Sequence, residues 1–151
     1  MNKNSILITL IFFLLMSCGY KPIHLNEKNN FIIEKIEINK VSRLNTFIKN
    51  SLNSLSNIDG IKKISLLINS NKIKSVTSKD SRGNSQLLTM LISVDIKIYE
   101  NDKMKSEKNF VESFSYSNDE NKFNLSKYEK NIENNLRDKI IKDINIYLVS
   151  F

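Results

Sequence analysis

The chain is predicted to fold as an α+β two-layer sandwich, a mostly antiparallel sheet of about four strands covered by two helices in the order strand, helix, strands, helix. Three observations carry this. A run from Leu88 to Ile98 alternates apolar and polar residues, as a half-buried strand does. Two other segments, near 44–55 and 125–148, carry apolar residues at helical spacing. A sheet that is apolar on one face needs a cover, and two amphipathic helices can supply it.

Each element follows from local pattern. Phe31 to Lys40 is a first strand, with Ile36 and Ile38 on one side and Lys35 and Glu37 on the other. Leu44, Phe47, Ile48, Leu52 and Leu55 then form one helical stripe, with Ser42 placed to cap its start and Gly60 beyond its end as a stop. Ile64, Leu66 and Ile68 alternate again, and that strand can continue through Ile73 and Val76. Ser78 to Ser85 is polar and turn-rich, hence an exposed connection. After the long strand, Asn101-Asp102 suits a tight hairpin turn. The return strand runs from about Met104 to Tyr116, with Phe110, Phe114 and Tyr116 on one face. Ser126 and Glu129 read as a capping box flanked by Phe123 and Leu125. The helix beyond it places Tyr128, Ile132, Leu136, Ile140, Ile141, Ile144 and Leu148 inward, and Lys130, Glu133, Asn134, Arg137 and Lys142 outward.

The N-terminus reads differently. Lys3 precedes an apolar run from Ile6 to Met16. Those eleven residues would rise about 16 Å as a helix, roughly half a hydrocarbon core, which fits a signal peptide and not a permanent span. Leu15-Met16-Ser17-Cys18-Gly19 has the form of a bacterial lipobox. Cleavage before Cys18 and acylation of its sulfur and amine explain a lone cysteine in an exported chain, where a free thiol is a liability. Three acyl chains hold a protein on a membrane essentially permanently, since one chain alone binds marginally. Gly19 after the cysteine, in place of Asp, resembles lipoproteins sorted to the outer membrane. The expected organisation is a signal peptide over 1–17, a lipidated tether over 18–30 and one α+β domain over 31–151. The tether's dozen residues reach at most about 40 Å.

Composition excludes several chemistries. The 151 residues hold one Cys, one His, three Gly and one Pro, too few for a disulfide framework, a Cys/His zinc cluster or a glycine-rich phosphate loop. His24 lies in the tether and reads as solvated. With Cys18 committed to lipid, Ser-His-Asp and Cys-His catalysis lose their parts, and Glu100, Asp102, Glu107, Asp119 and Glu120 read as solvated turn charges. The expectation is a protein that is not an enzyme and carries no cofactor or metal. Net charge is +7, yet 20 of the 23 cations are Lys, scattered through a chain with 22 Asn, 22 Ile and no Ala. That bias resembles AT-rich coding, so no nucleic-acid partner is expected. Phosphate is still matched by clustered Lys and Arg. Lys72, Lys74, Lys79 and Arg82 lie in or beside the first connection, and Lys103, Lys105 and Lys108 follow the hairpin turn.

Leu15-Met16-Ser17-Cys18-Gly19-Tyr20-Lys21-Pro22-Ile23 is similar to the start of divergent members of the LPS-assembly lipoprotein LptE family. The long strand ending Ile98-Tyr99-Glu100, the hairpin, the strand closing Phe114-Ser115-Tyr116 and the charged C-terminal helix follow in the family's order. The final helix is Asn- and Lys-rich, where relatives are Ala- and Arg-rich. The resemblance implies a lipid-anchored outer-membrane protein on the periplasmic side. Its partner would be the LPS-translocating β-barrel, LptD-like, which it plugs and helps to assemble. It further implies contact with lipopolysaccharide, for which Lys79, Arg82, Lys103 and Lys105 are the candidate residues. The alternative is a structural or scaffolding envelope lipoprotein that binds peptidoglycan or another periplasmic complex.

Overall fold

A computed structural model describes residues 31–56 and 60–151. The elements are β1 (Phe31–Ile38), α1 (Arg43–Asn53), β2 (Lys62–Lys79), β3 (Ser85–Glu100), β4 (Lys103–Ser117) and α2 (Lys122–Ser150). They form one four-stranded sheet in the order β1-β2-β3-β4, with both helices on one face. The predicted α+β sandwich is the observed fold. β1 and β2 are parallel, whereas β2-β3 and β3-β4 are antiparallel. The parallel pair follows from connectivity, because α1 lies in the crossover between its strands.

β3 is the centre of the sheet. Its even-numbered residues Leu88, Met90, Ile92, Val94, Ile96 and Ile98 are all buried. Each such side chain contributes about 1.5–3 kcal/mol on burial. Ile64, Leu66 and Ile68 of β2 and Phe110 and Tyr116 of β4 extend the same layer. Leu125, Ile132, Leu136, Ile140, Ile144 and Leu148 of α2 close it from above, and Ile48 and Leu52 of α1 complete it over the β1 side. Twenty-nine helical residues rise about 43 Å and sixteen strand residues about 50 Å, so α2 runs nearly the whole length of β3.

β1 requires a shift of phase to fit this layer. Phe31 and Ile33 are odd-numbered, Ile36 and Ile38 even-numbered, yet all four belong to or pack on the core. A regular strand would point one of these pairs to the wrong side. The register skips one residue between Ile33 and Lys35, leaving Glu34 unopposed, and this bulge brings both apolar pairs to the helical side.

Several expected boundaries move. Ser42 caps α1 as predicted, its hydroxyl accepting from the Asn45 amide at 3.0 Å. The helix ends at Asn53, however, so Leu55 lies outside it, and Gly60, beyond the end as expected, is not the residue that stops it. Gly60 serves another purpose: a Cβ there would sit 2.5 Å from the Phe31 carbonyl carbon, and only glycine permits that approach to β1. The final helix starts a turn before the predicted capping box. Asn121 is its cap, accepting from the Phe123 and Asn124 amides at 3.1 and 3.2 Å. That earlier start places Leu125 inside the helix and in the core. Ser126 is therefore an exposed position within the helix. Phe114 shares a face with Phe110 and Tyr116 but stays 46% exposed on the edge strand. Tyr128 is exposed too, meeting Tyr116 edge-on at 6.0 Å. Arg137, expected outward in solvent, lies over the Phe47 ring at 3.3 Å and ties α2 to α1.

The Asn101-Asp102 turn is formed as expected, with φ of 51° and 60°. Two successive left-handed residues match the twist of a two-residue hairpin.

Ile96 is fully buried at the middle of this layer. Ile96→Ala is expected to cost about 2–5 kcal/mol in denaturant unfolding. Val111→Ala, on the uncovered face of β4, is expected to change stability by about 0.5 kcal/mol or less.

Candidate functional site

The predicted basic residues fall at two separate places. Lys79 ends β2 and Arg82 sits in the connection to β3, whereas Lys103 and Lys105 begin β4 at the other end of β3. Sixteen residues of strand hold these groups about 50 Å apart. They are two patches, and no single small ligand bridges them. Hairpin geometry dictates this, because successive turns of a meander lie at opposite ends of their shared strand.

Around Arg82 the backbone is held by Asp80. Its Oδ1 accepts from the amides of Asn84 at 2.8 Å and Arg82 at 2.9 Å, and its Oδ2 accepts from the Asn84 side chain at 3.1 Å. The hydrogen bonds from Asn84 hold the Asp80 carboxyl below its ordinary pKa. Gly83 supplies the positive φ of 84° that the turn needs. The result is an ordered loop presenting Arg82 and Lys79 outward, neither guanidinium nor ammonium engaged among the described residues. At the far end Lys105 pairs with Glu100 at 3.3 Å, and Lys103 carries no ion pair among the described residues.

The remaining lysines serve the packing of α2. Lys72 reaches Glu133 at 2.8 Å and Lys74 reaches Glu129 at 3.1 Å. Glu129 also accepts from the Tyr116 hydroxyl at 2.8 Å, so one carboxylate joins β2, α2 and β4. Burial, with Glu129 beside it, pushes the Tyr116 hydroxyl well above its ordinary pKa and keeps it a donor. Lys108 lies over the Tyr147 ring at 4.5 Å, and Ser106 hydrogen-bonds the Tyr147 hydroxyl. Lys139 pairs with Glu112 at 2.7 Å. This line of contacts runs the length of α2 and leaves few of these cations available to a ligand.

The face of the sheet away from the helices has no layer over it among the described residues. Thr77, Thr89 and Ser115 form a hydroxyl row across three strands at 2.6 and 2.8 Å, and Asn109 donates to Asp95 at 2.5 Å. Lys97 and Glu107 pair at 3.3 Å. Apolar side chains Ile73 and Val111 interrupt this polar surface and are about half exposed.

Cys18, the lipobox, the Gly-Tyr-Lys-Pro start and His24 lie outside the described residues. Among the described residues no three of His, Cys, Asp or Glu converge as metal ligands, and no helix is long and apolar enough to cross a membrane. Sequence reading missed a cleft at the start of α1, where Arg43 and Asn45 meet Ser70 of β2. Its only visible signal was the Ser42 cap.

No family model and no curated protein matches the sequence. Solved structures are similar in fold. A rare lipoprotein B from Shewanella oneidensis superposes with a TM-score of 0.55 at 14% identity, covering 77% of this chain and 97% of that one. A minor lipoprotein from Acinetobacter baumannii gives 0.59 at 12% identity, covering 81% and 92%. A lipoprotein B from Nitrosomonas europaea gives 0.57 at 9% identity, covering 83% and 88%.

The Tyr116 bond predicts a measurable loss. Tyr116→Phe keeps the ring and removes the donor to Glu129, and is expected to lower stability by about 1–2 kcal/mol in denaturant unfolding. The likeness in structure, at these identities, assigns the fold alone: the chain folds as these bacterial lipoproteins do.

Proposed function

We propose that this chain is a lipid-anchored lipoprotein of the outer membrane, facing the periplasm, that plugs an LPS-translocating β-barrel of the LptD type and assists its assembly. The carrying observation is the fold, similar to bacterial lipoproteins over nearly their whole length. The lipobox at Cys18 and the Gly-Tyr-Lys-Pro start add to it. An acyl anchor confines the search for a membrane partner to two dimensions and raises the effective concentration. A compact domain with a Ser-, Thr- and Asn-rich open sheet face suits the polar lumen of a large barrel. Barrel interiors of that size are polar. We read the role as non-catalytic: with the one Cys assigned to lipid and the one His to the tether, Ser-His-Asp and Cys-His arrangements lack their parts, and the work assigned is binding. The Arg82 loop, its backbone held by Asp80, offers an unengaged guanidinium and a nearby ammonium to a phosphate of the lipopolysaccharide head.

Two measurements test this reading. A tagged full-length chain pulled down from detergent-solubilised envelopes is expected to recover one large outer-membrane β-barrel in about equal amount. Recovery of cell-wall fragments, or of an unrelated complex without a barrel, overturns the plug. The double variant Lys79→Glu with Arg82→Glu is expected to fold normally and to weaken lipopolysaccharide capture. Unchanged capture removes that loop as the contact.

A further inference from the structure

The cleft at the start of α1 lies apart from the Arg82 loop. It has a volume of about 580 Å³ and is bounded by α1, the middle of β2 and Glu133 of α2. Asn45 is the buried polar residue of the core among the described residues, 1% exposed. Its Nδ2 donates to the Lys40 carbonyl at 2.7 Å, which fixes the amide's orientation. Its Oδ1 is buried without a partner among the described residues, and so is the Ser70 hydroxyl in the same wall. An orphaned buried acceptor is destabilising, and a donor from a ligand can offset that cost. Around it the amides of Arg43 and Leu44 open the helix, and Lys40 and Arg43 carry no ion pair among the described residues. These groups favour an anion. The acid in the cleft, Glu133, is already held by Lys72 at 2.8 Å.

A second observation says what kind of anion. β1 pairs with β2 only from Lys62 to Ile68, the contact ending where the Asn39 amide donates to the Ile68 carbonyl. From Asn69 to Lys79 the strand pairs with β3 alone, and its outer edge has no partner among the described residues. That edge begins at the cleft, which Asn69, Ser70 and Asn71 line. A free strand edge offers alternating amides and carbonyls to an extended chain. A free phosphate would use the cleft and ignore the edge. An extended peptide with a carboxylate uses both.

We propose that the cleft and the free edge of β2 together dock an extended acidic segment of a partner protein. Its carboxylate sits between Lys40 and Arg43 at the start of α1. A backbone or side-chain N–H meets Asn45 Oδ1, and the following residues add to β2 in the place β1 vacates. This site is distinct from the Arg82 loop and does not rest on the barrel reading.

The probe is a blocked peptide, acetyl-Asp-Thr-Val-Thr-Val-Thr-Val-amide, added to the full-length chain in detergent micelles. Hydrogen exchange is expected to slow over Asn69–Lys79 on binding. Replacing the peptide's Asp by Asn, or Arg43 by Glu in the protein, is expected to weaken binding about tenfold or more. Arg43→Glu puts an acid in the first turn of α1, where it favours the helix, so the loss is separable from unfolding. The same variant is expected to keep its barrel in the pull-down, which separates failure here from failure of the plug. Four results overturn the proposal: no binding of the peptide, binding without edge protection, equal binding of the Asn peptide, or edge amides already protected in the free chain. Inorganic phosphate that perturbs Arg43 while the peptide binds no better also overturns it, leaving an anion site only.

Discussion

The molecule depends on one constraint, the burial of six alternating side chains on β3. Leu88 through Ile98 define a strip longer than a typical strand, and every other element answers to it. Two strands pair along its sides, and α2 must be long enough to cover it. The helix needs contacts spaced along its whole length, or its ends would lift from the sheet. Glu129 to Tyr116, Lys139 to Glu112 and Tyr147 to Ser106 supply them along β4, and Lys62 meets the Phe151 carbonyl at 2.9 Å at the far end. Exposed ion pairs contribute little singly. Their effect here is orientation, fixing the helix antiparallel to β4 while apolar burial supplies the stability.

Phase is the second requirement. A sheet face is apolar only if each strand alternates in step with its neighbour, and β1 is out of step with itself. The Glu34 bulge resolves this within one residue. Gly60 then lets the chain pass close to Phe31 before β2 begins. β2 outruns β1 because its length is matched to β3, and β1 is shortened by the crossover that leads into α1. The edge left unpaired among the described residues is thus a consequence of topology.

The surface divides by the same logic. One sheet face is consumed by the helices, while the other retains a row of hydroxyls and amides suited to a polar enclosure. The basic patches at the two ends of β3 are set apart by the strand's length, so they are separate places on the surface. The cleft beside α1 is a third location, set by where β1 stops.

Fold class, the order of elements, the inward face of β3, the Asn101-Asp102 turn and the Ser42 cap were legible in the sequence, because each depends on periodicity or on a side chain acting within a few residues. What the sequence did not show was decided by partners far along the chain. The capping box at Ser126 and Glu129 was a valid local pattern, yet Asn121 won, since starting earlier buries Leu125. Glu129 was then free to join Tyr116 and Lys74. Arg137 looked like solvent-facing charge until α1 placed Phe47 beneath it. Asn45 looked like any polar residue of a helix, and only the packing of α1 against β2 buried its Oδ1 without a partner among the described residues. Local pattern fixes which face of an element is apolar. Which residues meet across the gap is settled by packing, where residues distant in sequence compete for the same few ångströms of space.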